Sequence, residues 1–325
     1  MKRAAVTAMV WGTLSWAGMV QAVQVPGPLI ATDWLASHQA DVVILDVRRE
    51  TESFTAAPKF MKDRNTGKQR LVCTGGHIPG AALVDYNQVR ARREVNGQII
   101  MHLLPARADF EKLMQQSGVN RDSTIVIASR GQDIVDLAMA TRLYWTLKYY
   151  GHDNMGILDG GMAQWLADGR NFTTRSEKPA TGNWRAGEGR IGILATTNEV
   201  TAATKTGSSR LVDNRAISLY LGTWKTSNVY DKGHIPGAGS FPGELMNSAG
   251  MPSRFLPVDE LRQLFQAMDI DMDAGTITYC DSGHLASGGW FIMSELLGNR
   301  NVRLYDGSMH EWTLNRLPVQ RFDME

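Results

Sequence analysis

Cysteine is scarce in this chain: only Cys73 and Cys280 occur in 325 residues. A fold stapled by several disulfides is therefore excluded. There is no C-x-x-C and no H-E-x-x-H pattern, which removes the common zinc arrangements. No strand-like run leads into a glycine-rich loop with a phosphate-binding lysine. Neither sign of charge dominates, since 34 basic and 33 acidic residues leave a formal +1. A dedicated nucleic-acid binder would show a basic excess. Beyond the N-terminal segment no apolar run is long enough to span a membrane. The sequence thus implies no metal, no cofactor, no nucleic-acid partner and no membrane after processing.

What is present is a core. Hydrophobic residues make up 43% and charged residues 21%, a globular composition. The length suits two domains of about 100–200 residues each. The chain opens "MKRAAVTAMVWGTLSWAGMVQAVQ": Lys2 and Arg3, an apolar stretch from Ala4 to Val20, then Val20-Gln21-Ala22. This is the pattern of a secretory signal peptide over residues 1–22, with cleavage after Ala22. The remainder is expected outside the cytoplasm, most simply in a bacterial periplasm. In that compartment a Cys73–Cys280 disulfide is the plainest expectation, and it predicts that neither thiol does chemistry.

The chain repeats itself. "GHIPGA" stands at 76–81 and at 233–238; "LDGGMAQW" at 158–165 is echoed by "YDGSMHEW" at 305–312. "VILDVR" at 43–48 pairs with "RLVDNR" at 210–215, and "STIVIAS" at 123–129 with "GTITYCD" at 275–281. Four ordered matches imply two copies of one fold, 23–175 and 195–325. They are joined by a Gly-, Pro- and charge-rich linker at 176–194. Runs such as "DVVILDV" read as buried strands. "DIVDLAMATRLYWTLKYYG" and "LASGGWFIMSELLG" read as helices ending at Gly151 and Gly298. The expected class is α/β, each domain a mostly parallel sheet with helices on both faces.

In such sheets ligands bind beyond the carboxyl ends of the strands, where Cys280 falls. The strand–loop–helix turn "CDSGH" can form an anion-binding cup with sulfur at its floor. Its backbone N–H groups converge, and Gly283 lets the loop curl. Ser282 can donate to sulfur or to an oxyanion. Asp281 works against the thiolate unless it points away. Pairing Thr124 with Thr276 sets Ala128 opposite Cys280, so the first copy lacks the thiol. Ser129 and Arg130, in the first copy's loop, are assigned no chemistry.

Taken together, the duplicated "GHIPGA", the D-x-R strand end, "DGG/DGS…W" and the C-terminal Cys loop resemble the tandem rhodanese-domain sulfurtransferases. "HIPGAALVDYNQV", "HLLP" and "DNRAISLYLGT" strengthen the resemblance, which spans nearly all of the chain after residue 22. It implies a non-catalytic first domain and a catalytic second one. Cys280 would be the nucleophile, and the main-chain amides of Asp281, Ser282, Gly283, His284, Leu285 and Ala286 would cradle the substrate. It also implies a small donor of the thiosulfate or 3-mercaptopyruvate type, a persulfide on Cys280, and a cyanide or thiol acceptor, with a protein sulfur acceptor as a further partner.

The loop departs from the family. Basic residues or "CGSGV" usually follow the cysteine, and an arginine usually stands where this chain has Leu219. Arg215, Lys225, Lys232 and Arg254 are the substitutes on offer for binding substrate. For Arg215 a fold-stabilising ion pair is the favoured reading. Trp224 is a pocket-lining candidate or a packing residue. His284 is a hydrogen-bond donor, a base or a solvent-facing loop residue. His77 and His234, kept in both copies, are expected to tie the loops. Cys73 is expected to be a spare, partly buried thiol. A phosphatase or arsenate reductase would need Cys-x5-Arg, and Ala286 stands where the arginine would be. The remaining alternative is a periplasmic persulfide carrier or binding protein with little turnover of small donors.

Overall fold

A computed structural model describes residues 23–322, apart from 63, 65, 66 and 96. The expected signal peptide lies outside the described residues. Among those residues no helix is long and apolar enough to cross a membrane.

In the first domain the strands are β1 (Leu29–Ile30), β2 (Val43–Arg48), the hairpin β3 (Lys59–Lys62) and β4 (Gln69–Cys73), β5 (Ala82–Asp85), the hairpin β6 (Ala91–Val95) and β7 (Gln98–Leu103), β8 (Ile125–Ala128) and β9 (Met155–Leu158). The helices are α1 (Thr32–His38), α2 (Arg107–Gln116), α3 (Ile134–Tyr149) and α4 (Gly161–Ala167). The second domain has β10 (Leu194–Ala195), β11 (Arg210–Asp213), β12 (Gly239–Ser240), β13 (Thr276–Tyr279) and β14 (Val302–Tyr305). Its helices are α5 (Thr197–Thr206), α6 (Ile217–Tyr220), α7 (Val258–Ala267), α8 (Leu285–Phe291), continued by a π turn, and α9 (Ser308–Leu314).

The two main sheets share one topology. Their orders are β1-β9-β8-β2-β5 and β10-β14-β13-β11-β12, and every pairing is parallel. Sheets buried on both faces read as continuous apolar runs, which is why "VIL" and "IVI" mark strands here. Alternate residues serve opposite layers. Ile44 and Val126 pack with Leu35 and Trp165 of α1 and α4. Leu45, Val47 and Ile127 face α2 and α3. In the second domain the α7–α8 side (Val212, Cys280, Leu304) belongs to that same cluster, so one apolar core runs through both domains. Helix α3 lies against α8, where the Thr141 and Ser287 hydroxyls meet at 2.8 Å.

The D-x-R strand ends do the same work twice. Arg48 holds Asp46 with two bonds of 2.6 Å and donates to Gly76 O. Arg215 holds Asp213 (Nη2–Oδ2 2.6 Å) and donates to Gly233 O. Each D-x-R pair therefore pins its own "GHIPG" turn. His77 bonds Phe54 O and stacks on that ring, while His234 does likewise with Tyr220. Segment 176–194, read as a linker, is packed on the first domain. Trp184 is buried and bonds Val119 O, and Gly187 bonds Tyr150 O. Trp184 and Ala186 supply the apolar surface that holds it there.

Candidate active site

Register fixes which loops correspond. Asp46 pairs with Ala128, and Asp213 pairs with Tyr279. Ala128 therefore matches Tyr279, and Ser129 matches Cys280. A second ladder agrees: Met162 N–H bonds Ser129 O, as Met309 N–H bonds Cys280 O. Setting Ala128 opposite Cys280 was one residue out of register, because apolar runs alone do not resolve a slip of one. The first domain carries a hydroxyl where the second carries the thiol.

Cys280 leaves β13 at its carboxyl end and is only 2% exposed. Its thiol is free, as is that of half-buried Cys73 on β4, so the expected disulfide is absent. Burial pushes the Cys280 pKa up. The Ala286 and Ser282 amides oppose that shift, and Asp281 and Asp213 add to it. Desolvation thus outweighs the loop amides in the direction of the shift.

Of the amides expected to form the cradle, that of Gly283 is committed to a side chain. The amides of Cys280 and Gly283 both donate to Ser308 Oγ at 3.1 Å, and that hydroxyl donates to Tyr305 O at 2.8 Å. Ser308 takes a positive φ of 49° to reach them, a strained setting for a non-glycine residue. Gly283 does curl, with φ +69°, and a Cβ there would meet Arg142 Nη1 at 2.7 Å. Ser282 is buried, and its amide rather than its hydroxyl faces the sulfur. Asp281 turns from the thiol toward Thr226 Oγ1 (3.1 Å) and Arg215 Nη1 (3.5 Å). Leu285 and Ala286 open α8, Ala286 fully buried.

His284 faces the other domain. Its Nδ1 meets the Tyr86 hydroxyl in a short hydrogen bond, and the rings sit 5.2 Å apart. Burial, reinforced by Arg90, Arg49 and Arg142, drives its pKa well below 6.5, so the ring is neutral. Its Nε2 has no hydrogen bond of normal geometry. Tyr86 is pushed up to about 12, chiefly by burial. Arg142 of α3 crosses the interface to Asp306 (2.6 Å) and Gly283 O (3.3 Å). His310 receives Met101 N–H on Nε2 and gives Nδ1–H to Asn228 O.

The substrate-binding substitutes are engaged elsewhere. Arg215 is 2% exposed and committed to Asp213, so the ion-pair reading describes it. Arg254 pairs with Asp159 across the domain boundary. Lys225 bonds Val229 O, and Lys232 bonds Thr223 O. Trp224 is half exposed and bonds Ser218 Oγ. Sequence reading missed Tyr86, Arg49, Arg90, Arg142 and Ser308. Tyr86 lay inside the quoted "HIPGAALVDYNQV", but only the folded contact assigns it to the site. A cavity of about 660 Å³ opens at Arg210 and Thr276's end of the sheet, away from Cys280, and has no part in this chemistry.

A pair of parallel α/β domains, only one with a thiol at its strand-end loop, defines a known class. The rhodanese-like domain model matches residues 31–168 and 196–315. The chain belongs to the rhodanese-like family and carries its domain twice.

A Saccharopolyspora erythraea protein, provisionally named a thiosulfate sulfurtransferase, is 30% identical over 90% of this chain and 95% of its own. The sulfur carrier protein TtuD of Thermus thermophilus is 28% identical over 88% and 94%. The structure of SseA, a 3-mercaptopyruvate sulfurtransferase of Escherichia coli, superposes with a TM-score of 0.69 at 25% identity, covering 87% of this chain and 98% of that one. The chain is a tandem-domain sulfurtransferase.

Proposed function

We propose that this enzyme moves sulfane sulfur from a small anionic donor, of the thiosulfate or 3-mercaptopyruvate type, to cyanide or a thiol through a persulfide on Cys280. Arrangement of the thiol at the end of β13, with the Ala286 and Ser282 amides turned to the sulfur, carries the reading. With thiosulfate, the Cys280 thiolate attacks the outer sulfur. The S–S bond breaks, and sulfite leaves with its electron pair. With 3-mercaptopyruvate the C–S bond breaks instead, and the departing enolate takes up a proton to give pyruvate. Cyanide then attacks the outer persulfide sulfur, leaving as thiocyanate and restoring the thiolate.

A raised thiol pKa makes the thiolate a minor form at neutral pH. Loading then accelerates with pH. The relation to a periplasmic export route rests on the N-terminal pattern alone; detection of a shortened chain in the periplasmic fraction tests it. One observation favours a second reading. With Cys280 only 2% exposed, a persulfide carrier fed by a protein donor is the alternative. Intact-mass measurement after incubation with thiosulfate or 3-mercaptopyruvate separates the two. The enzyme gains one sulfur from the small donor and releases thiocyanate with cyanide. A carrier gains sulfur only from a protein donor.

A further inference from the structure

In the second domain Leu219 stands where the family usually has an arginine, Arg215 and Arg254 are paired with carboxylates, and Lys225 bonds a carbonyl. In the first domain Arg49 and Arg90 converge on the Tyr86 ring, with guanidinium carbons 5.6 and 4.3 Å from its centroid. Among the described residues neither makes an ion pair, and Arg90 Nε is buried with no hydrogen-bond partner. Arg49 is exposed to solvent and Arg90 half-buried, so an anion bound there would join one solvated and one partly desolvated guanidinium.

A cavity of about 210 Å³ opens beside Arg90, lined by Asn87, Ala91, Arg92, Met101 and His102. No acidic residue lines it. Asp85, at the start of this turn, is occupied with the Asn87 amide. Tyr86, the ring that both guanidiniums approach, bonds His284 of the thiol loop.

We propose that Arg49 and Arg90 of the first domain, with the cavity beside Arg90, bind the anionic group of the sulfur donor, replacing the arginine missing at Leu219. This rests on the sulfurtransferase reading for its ligand. The ligand class is a small carboxylate or sulfonate-like anion, held by the planar donor fork of arginine. The first domain thereby sets donor specificity for chemistry done by the second.

The test uses the full chain. In a Cys280→Ser background, thiosulfate and pyruvate are titrated by calorimetry against otherwise native, Arg90→Gln, Arg49→Gln and Arg90→Lys proteins. Arg90→Gln is expected to weaken anion binding by roughly tenfold or more, Arg49→Gln by about threefold, and Arg90→Lys to recover part of the loss. With Cys280 present, the same variants raise KM for thiosulfate or 3-mercaptopyruvate, keep kcat within about twofold, and leave KM for an uncharged persulfide donor unchanged. Circular dichroism confirms folding. Unchanged affinity, no anion binding in the Cys280→Ser parent, or equal losses for charged and uncharged donors overturns the proposal. Anion binding lost in the variants, but with no sulfur ever loaded on Cys280, would refute the sulfurtransferase reading and leave this site standing.

Discussion

Val135 and Ala286 hold the same position in the two domains, six residues after Ser129 and Cys280. In the first domain Asp133 caps α3, accepting from the amides of Val135 and Asp136 at 3.0 Å. In the second domain His284 stands in place of that aspartate, and the Ala286 amide is left for the sulfur. A side-chain cap satisfies a helix end and stabilises it by about 1 kcal/mol. Omitting it frees an amide for a reacting atom. The same turn is thus built as a closed helix start in one copy and as a site in the other. Gly161 and Ser308 show the matching trade: the first copy has a glycine at φ +56°, the second a strained serine that gathers two loop amides.

That comparison can be broken from either side. Cys280→Ser gives the largest effect: loss of persulfide and a fall in turnover of more than about 10³-fold, read by cyanide-dependent thiocyanate release. Arg48→Ala and Arg215→Ala should each destabilise by about 3–5 kcal/mol, because each strands a buried aspartate; parallel urea melts check this. A marked difference between those two losses would contradict the equivalence of the strand ends. His284→Asp rebuilds the first domain's cap beside the thiol. It should slow sulfur loading by roughly 10- to 100-fold in stopped-flow assays, as the amide is captured and a negative charge added. Ser308→Gly makes the second loop like the first; freeing two amides costs about 1–2 kcal/mol and relief of the positive φ offsets about 1 kcal/mol, so urea melts should show a net loss of no more than about 1 kcal/mol.

The smallest effect is on pH. His284 is held well below 6.5, and His102, through burial and then Arg90, at about 4. Unfolding frees both rings to take protons below about 6.5. Stability is therefore full above that pH and falls as pH drops, for His102 down to about 4. Melts from pH 7 to 4 should show this decline flattened in His102→Gln.

The duplicated fold was legible because buried charge leaves few solutions. An Asp-x-Arg at a strand end must satisfy itself locally, and its "GHIPG" partner turn needs glycine and proline where they stand. The thiol loop was legible for a similar reason, since a strand–loop–helix turn after an apolar run has one usual place in a parallel sheet. The register of Ser129 was not, because Ala128 and Ser129 fit an apolar strand end equally well. Nor were Tyr86, Arg49 and Arg90. They approach the thiol loop only when α3 packs on α8, and nothing local to "DYNQVR" announces a contact about two hundred residues away. Arg142 was masked by an apolar helix whose every turn reads as core.

The most direct test installs a rival thiol. In Ser129→Cys, with Cys280 intact, the protein is incubated with thiosulfate or 3-mercaptopyruvate and digested, and the added sulfur is mapped by mass spectrometry. The account predicts sulfur on the Cys280 peptide and none at residue 129, whose amides belong to Asp133. Comparable loading at both positions would contradict it.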